Sequence, residues 1–218
     1  MWLFKDNAAN SELGFLTYAF GFTQQTHSNA VSIIYDMADG SRPVVSFSRN
    51  DLREVRQYYR AWIGEVEIPT PYGLLDSSGI TRTMRAFYWI QAGRSAPSLG
   101  QRIACFCMAM ESLLATSSSE LAHQLAERMA VFLSDRLDGR ESVYRKVKQC
   151  YALRSRVVHG DVLKHSKVSE LVEASLACDE LLRQAIRKAV QDERARKALE
   201  SANETLDRYF LDALFSTS

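Results

Sequence analysis

The sequence predicts a mainly α-helical protein, in which a helical bundle follows a small α+β region at the N-terminus. From Thr81 onward, apolar residues recur three and four positions apart over most of the chain, which is the period of helices that bury one face. The 218 residues are 46% hydrophobic and 24% charged, a composition typical of a globular chain that can form a full core.

The N-terminal part has a different pattern. Two short β-branched or aromatic runs, 31–35 and 44–47, flank the turn-rich segment 38–41, and this arrangement predicts a small hairpin. We place a domain boundary after the hairpin and one further helix, so that residues 1–76 form the α+β region and residues 77–218 form the bundle.

The further helix of the N-terminal region should begin at a capping box. Ser48 stands three residues before Asp51, and such a pair can satisfy the first free N–H groups of a helix. Gly64 is expected to end this helix. A connection rich in proline and glycine follows and contains Pro69, Pro71 and Gly73.

Six helices are predicted in the bundle. The second is nearly all apolar and should be buried on most sides, whereas Leu121, Leu125, Met129 and Phe132 form one stripe of the third. We expect 117–119 to cap the third helix and 138–139 to end it, and we expect a charged interruption over 192–200. The predicted helical segments are 81–93, 101–115, 120–137, 141–160, 166–191 and 204–215.

Charge and hydropathy limit the classes of partner. With 27 Lys and Arg against 26 Asp and Glu, the net charge is +1, so any affinity for RNA must come from a local patch. No run of about 18 apolar residues is present, and the N-terminus is too polar for a secretory leader. We therefore expect a cytoplasmic protein with no membrane partner.

The four cysteines fall inside apolar helical patterns, where a free thiol behaves as a small hydrophobe. A disulfide framework is therefore not expected. The closest pair, Cys105 and Cys107, would point roughly 200° apart on a helix, which is a poor arrangement for zinc. Cys150 and Cys178 are the other two.

The segment 151–161 holds the residues most suited to chemistry. Arg154 and His159 would lie about 140° apart on an unbroken helix, so we expect a break at Gly160 that lets His159 turn away. The helix C-terminus and Asp161 would favour a protonated imidazole, and Arg154 stays charged at any working pH. An arginine and a histidine of this kind suit a phosphodiester substrate.

Cleavage of RNA without a metal requires a base for the 2′-hydroxyl, an acid for the leaving 5′-oxygen and a cation for the phosphorane. A single histidine cannot comfortably be both base and acid. A two-fold dimer that apposes this helix with its mate would supply two histidines and two arginines in one cleft. The sequence thus favours a homodimer formed through the motif helix.

Three segments carry a recognisable pattern, because Arg154 and His159 have the R-x4-6-H form, residues 109–114 fit A-x-E-x-L-L and residues 154–160 fit R-S-x-x-V-H-G. In these segments the sequence resembles the HEPN superfamily, in particular its Apea-like branch. The resemblance covers roughly residues 81–190. It implies a helical bundle, dimerisation through the motif helices and often metal-independent RNA cleavage in prokaryotic defence, abortive infection or toxin systems.

The resemblance also leaves a rival interpretation open. Active members commonly place Asn, Asp or His directly after the motif arginine, whereas this chain has Ser155. The superfamily includes members without nuclease activity that bind nucleotides or partners. In that case Arg154 and His159 only hold the helix end, the arginine in an ion pair and the histidine on a carbonyl.

The leading hypothesis is a dimeric endoribonuclease that needs no cofactor or metal, with Arg154 and His159 as catalytic residues. Arg156 should contact the RNA, with Lys164 and His165 as further contacts unless they form a solvated loop. Its partners are a second copy, the RNA substrate and an antitoxin or regulatory protein. Supporting roles are assigned to Glu111, which could equally be a structural ion-pair partner, and to Ser155.

The remaining charged and histidine residues are assigned no chemistry from sequence. His27 and His123 have no clustered partners and are interpreted as structural or surface residues. A basic stretch before the motif either follows an RNA backbone or is the solvated face of an amphipathic helix. It consists of Arg140, Arg145, Lys146 and Lys148. For the N-terminal region, trigger recognition, dimer control and capping of the cleft stay open.

Overall fold

The computed structural model describes residues 1–9, 15–20, 23–28, 34–62, 80–159 and 168–215. These residues form one antiparallel pair of strands and eight helices, which confirms the predicted mainly α-helical bundle with a small strand region near the N-terminus. The elements are β1 (Phe15–Phe20), β2 (Thr23–Ser28), α1 (Arg49–Trp62), α2 (Arg82–Arg94), α3 (Leu99–Leu114), α4 (Leu121–Leu133), α5 (Leu137–Val158), α6 (Val168–Gln191), α7 (Glu193–Leu199) and α8 (Asn203–Phe215).

Helix α3 lies at the centre of the bundle, against α2, α5 and α6. Its near-continuous apolar sequence predicts burial on most sides, and the structure confirms it, because Ile103, Phe106, Met110 and Leu114 are each at most 1% exposed. Gly93 of α2 permits close packing here, since a Cβ atom at that position would lie 2.8 Å from the ring of Phe106.

Helix α4 packs against α5 and α8 through the predicted stripe. Leu125, Met129 and Phe132 are buried, and Leu121 at the start of the stripe is half-buried. The ring of Phe132 meets that of Phe210 of α8, with centroids 6.2 Å apart. On α5, Val147 and Cys150 are buried, whereas the side chain of Val158 is 56% exposed.

The starts of several helices are set by short polar side chains. In the predicted capping box, Ser48 N donates to Asp51 Oδ2 at 2.8 Å and Asp51 N donates to Ser48 Oγ at 3.1 Å. Thr81 caps α2 by accepting a hydrogen bond from the backbone N–H of Met84. The predicted end of α1 at Gly64 lies outside the described residues.

The predicted hairpin is wrong in its position. The strands are β1 and β2, residues 34–48 contain no strand, and residues 31–33 lie outside the described part of the chain. A turn does close between Met37 and Ser41, but the backbone beside it bonds to other elements. Ala38 N donates to Asp6 Oδ2 at 2.9 Å, and Ala38 O accepts from Ser175 Oγ at 2.6 Å. These groups are therefore not available to a partner strand.

Two predicted boundaries around α4 are also wrong. Ser117 and Ser119 bond to each other rather than to α4, which begins after Glu120 in a left-handed conformation with φ 49°. Gly139 does not end α4 but lies in the first turn of α5. A Cβ atom there would overlap Ser134 Oγ, so this glycine serves a close approach between the two helices.

The predicted charged interruption over 192–200 is wrong except at its first and last residues, Asp192 and Glu200. Asp192 breaks the helix and at once caps α7, because its carboxylate accepts hydrogen bonds from Arg194 N and Ala195 N. Helix α7 then buries a small apolar face that the surrounding charges obscure in the sequence. This face consists of Ala195, Ala198 and Leu199.

The first residues of the chain contact α6 through buried polar groups. Trp2 Nε1 donates to Asp179 Oδ1 at 2.6 Å, and Arg183 Nε donates to Asp179 Oδ2 at 2.8 Å. Burial raises the pKa of Asp179 to about 6, and the nearby charge of Asp6 adds to this effect. The domain boundary placed near residue 76 remains a prediction, although residues on either side of it are in direct contact.

We expect Asp179 to make the protein less stable as pH rises from about 4 to about 6. In this window the folded state holds a proton that the unfolded state has released, so the free energy of unfolding falls by up to about 3 kcal/mol. The lowered pKa values of Asp36 and Asp207 act with the opposite sign and at lower pH.

The measurement is urea unfolding at several pH values between 4 and 7. Asp179→Asn should remove most of the decline, and Asp135→Asn, at an exposed carboxylate, should retain it. An unchanged decline in Asp179→Asn would show that another group causes it.

Candidate functional site at the end of α5

Helix α5 runs without a break to Val158, and His159 caps its C-terminus. The backbone N–H of His159 donates to Ser155 O at 3.0 Å, so the last turn is closed in a regular way. The imidazole is exposed to solvent. The predicted break at Gly160, the charge of Asp161 and the loop residues Lys164 and His165 lie outside the described residues.

Arg154 is held one turn and a half before this end by two other side chains. Its Nη2 atom lies 3.7 Å from Glu111 Oε1 on α3, and its guanidinium carbon lies 5.3 Å from the centre of the Tyr151 ring. The side chain is 26% exposed. Glu111 therefore contacts Arg154 from the central helix of the bundle, as both its predicted supporting role and the alternative structural ion pair require.

Tyr151 completes this cluster by donating a hydrogen bond to Glu111 Oε1 at 3.0 Å. Burial raises the pKa of Tyr151 to about 12, and the charge of Glu111 and its hydrogen bond act in the same direction. The phenol is therefore protonated at any physiological pH and serves as a donor to the carboxylate. It is not suited to act as a general base.

The guanidinium of Arg154 is only partly used within the described residues. Its Nε atom is buried and has no hydrogen-bond partner among them. Among the described residues, its one ion pair is with Glu111 and is longer than a charge-assisted hydrogen bond of about 2.8 Å. The cluster thus fixes the position of Arg154, and only the exposed 26% of its side chain is within reach of another anion.

A single chain does not bring the predicted catalytic pair together. Because α5 stays helical through Val158, Arg154 and His159 point about 140° apart. Ser155 and Arg156 lie between them, and both side chains are half-buried. Arg156 is about 60° from His159 around the helix and is the closer of the two arginines to its face.

The structure also shows a cleft that the sequence analysis missed. It has a volume of about 600 Å³ and lies between the start of α4 and the middle of α5. Tyr151 of the Glu111 cluster forms part of its wall, with Lys148 one turn earlier and His123 opposite on α4. The signal in the sequence was the spacing of Tyr144, Lys148 and Tyr151, which puts aromatic and basic residues on one face of α5.

Comparison of the chain with protein-family models, with curated proteins and with solved structures finds no match. The HEPN resemblance therefore remains a prediction. None of the helices described is both long enough and apolar enough to cross a membrane. Across the same residues, no group of three His, Cys, Asp or Glu side chains is placed to hold a metal ion. The four cysteines are free thiols, and three of them are buried.

We expect Tyr151→Phe to lower the free energy of unfolding by about 1 kcal/mol, because it removes a part-buried hydrogen bond to a carboxylate. The matched control is Tyr144→Phe, whose hydroxyl bonds to His123 in an exposed setting and should contribute only a few tenths of this. Urea unfolding of the two variants measures the difference. Equal losses would contradict a special role for the Glu111 hydrogen bond.

Proposed function

We propose that the chain is a metal-independent endoribonuclease that acts as a homodimer, with Arg154 and His159 in its active site. The observation that carries this proposal is the end of α5. There Glu111 and Tyr151 hold a half-buried arginine in place, and an exposed histidine ends the same helix. The same pair supports the HEPN resemblance, which is the source of the reaction class.

Arg154 is suited to stabilise the phosphorane. Its charge is permanent, and the partial burial of the guanidinium makes its field stronger than it would be in bulk water. The ion pair with Glu111 fixes the side chain before substrate arrives, so little reorganisation is needed when negative charge develops on the phosphoryl oxygens. Glu111 and Tyr151 act here as positioning residues.

His159 is suited to proton transfer because imidazole is the side chain that ordinarily exchanges a proton near neutral pH. Its exposure at the helix end allows the ribose and phosphate groups of an RNA strand to approach the imidazole. The 140° angle to Arg154 means that one copy of α5 presents the two groups to different sides. A second copy, related by a two-fold axis, would bring the arginine of one protomer toward the histidine of its partner.

The reaction then needs no external co-reactant. One imidazole takes the proton of the 2′-hydroxyl while the 2′-oxygen forms a bond to phosphorus. The second imidazole gives its proton to the 5′-oxygen as the bond from phosphorus to that oxygen breaks. The products are a 2′,3′-cyclic phosphate and a free 5′-hydroxyl. We propose prokaryotic defence or toxin activity as the setting, with an antitoxin or regulatory protein as a further partner.

One observation favours a second candidate, a dimerisation or partner-binding module without catalysis. The contacts of Arg154 with Glu111 and Tyr151 also account for this arginine as a purely structural link between α3 and α5. Ser155, where active members of the superfamily commonly have Asn, Asp or His, agrees with that candidate. Activity assays on the motif variants separate the two.

We expect purified wild-type protein to cleave total cellular RNA in the presence of EDTA and to leave 2′,3′-cyclic phosphate ends. His159→Ala should slow cleavage by about 10²–10⁴-fold, because it removes a proton-transfer group. Arg154→Ala should slow it by about 10²–10³-fold, because it removes charge stabilisation of the phosphorane. The assay is single-turnover cleavage with analysis of the product ends.

The matched control for this assay is Arg145→Ala, which removes an exposed arginine of the same helix that pairs with Glu141. It should cleave within about twofold of the wild type, as expected for a surface ion pair. Cleavage that survives in both motif variants would overturn the proposal, and a folded wild-type dimer that leaves RNA intact would favour the binding module.

A composite active site also predicts an unusual mixing curve. If both histidines of a dimer are needed, a mixed dimer of wild-type and His159→Ala chains is inactive, and activity falls with the square of the wild-type fraction. The measurement is cleavage rate after the two proteins are exchanged at constant total concentration. A linear decrease would show that one histidine is enough at each site and would contradict the two-histidine mechanism.

A further inference from the structure

The cleft between α4 and α5 carries the features of a binding site that the motif does not explain. Its wall contains Glu120, His123, Lys148 and Tyr151, and its volume of about 600 Å³ is large enough for one or more nucleotides. Lys148 is exposed, and none of the described residues forms an ion pair with it. The cleft thus offers an exposed lysine beside aromatic rings.

Aromatic rings from α4 and α5 lie on the same side of α5 as Lys148. On α5, Tyr144, Lys148 and Tyr151 are spaced by four and three residues, so they lie on one face of the helix. From α4, His123 reaches the same face. Its Nδ1 atom lies 2.9 Å from the hydroxyl oxygen of Tyr144, and its ring meets that of Tyr144 edge to face at 5.9 Å. We call this set the Lys148 surface.

The Lys148 surface leads directly to the proposed active site. At 100° per residue, His159 is only about 20° from Lys148 around α5 and about 16 Å further along it. Arg154 lies about 60° from Tyr151, at the side of the same face. An RNA strand that followed this face from His159 would reach Tyr151 and then Lys148 within a few nucleotides.

Negative charge is also present and sets a limit on affinity. The carboxylate of Glu127 is one of two negative groups near the cleft and lies 3.7 Å from His123 Nε2. The second is Glu120, which lines the cleft and whose side chain makes no capping hydrogen bond to α4. Among the described non-glycine residues, Glu120 is the only one with a left-handed backbone conformation. Such a conformation is costly for glutamate and is enriched at functional positions.

We propose that the Lys148 surface binds single-stranded RNA next to the scissile phosphate, with Lys148 on a backbone phosphate and the rings of His123 and Tyr151 against unpaired bases. Alternating cationic and aromatic side chains are how proteins hold single strands, because every base has a face for stacking and every nucleotide a phosphate. This inference rests on the proposed function, since RNA is the substrate class that it assigns.

The test is equilibrium binding of a fluorescent single-stranded RNA of about 12 nucleotides, a typical length for such sites, to protein silenced by His159→Ala. In this background, Lys148→Ala should weaken affinity about 5- to 10-fold and reduce the salt slope by about one. His123→Ala should weaken affinity about 10-fold through lost stacking. Glu120→Gln should strengthen binding about twofold by removing a repulsive charge.

The matched control is Lys146→Ala, which removes an exposed lysine about 160° away around the same helix and should change affinity less than twofold. Equal effects of Lys148→Ala and Lys146→Ala would overturn the proposal. So would equal affinity for a duplex RNA of the same sequence, or a lack of RNA binding.

Failure of this inference and failure of the proposed function give different results. Binding that depends on Lys148, together with a wild-type protein that does not cleave RNA, would support the Lys148 surface and count against the nuclease. If cleavage requires Arg154 and His159 but RNA affinity is unchanged in Lys148→Ala, the nuclease proposal is supported and RNA binding by the Lys148 surface is overturned.

Discussion

Because α3 is surrounded by other helices, the polar groups that it buries need partners on neighbouring elements in place of water. At its C-terminus, Arg128 donates to Leu114 O at 2.7 Å and Arg82 donates to Ala115 O at 2.7 Å, so two arginines from α4 and α2 close the helix. Glu111, one turn earlier, meets the same requirement through α5. The burial of α3 thus explains why charged side chains of the neighbouring helices lie at its C-terminal end.

The candidate site is a consequence of this constraint. A half-buried carboxylate on a central helix requires donors, and α5 supplies them from Tyr151 and Arg154. Glu111 and Tyr151 together hold Arg154 in place within α5, whereas His159 lies at the exposed end of this helix. The same three side chains would hold the helix register whether or not the chain cleaves RNA. Their geometry explains why Arg154 is preorganised, and the chemistry proposed for it depends on what a second copy brings.

The sequence predicted the helices well because the spacing of their apolar residues follows the face that each helix buries. The boundaries failed where residue type alone did not decide where a helix ends. Gly139 resembles a helix stop, yet it lies in the first turn of α5, where a Cβ atom would meet Ser134 Oγ of the preceding helix end. At the site, the resemblance to a family pointed to Glu111, Arg154 and His159. The place of His123 at the cleft could not be predicted, because only the packing of α4 against α5 brings it beside Tyr144.

The most direct test of the central claim is the distance between the two copies of the α5 end in solution. A spin label at Ser155→Cys, in a Cys105→Ser background, would react selectively because the other cysteines are at most 1% exposed. Packed helices lie about 10 Å apart, so with the label linkers we expect an interspin distance below about 25 Å. A monomer, or a dimer with a clearly longer distance, would contradict a composite site built from two copies of this helix.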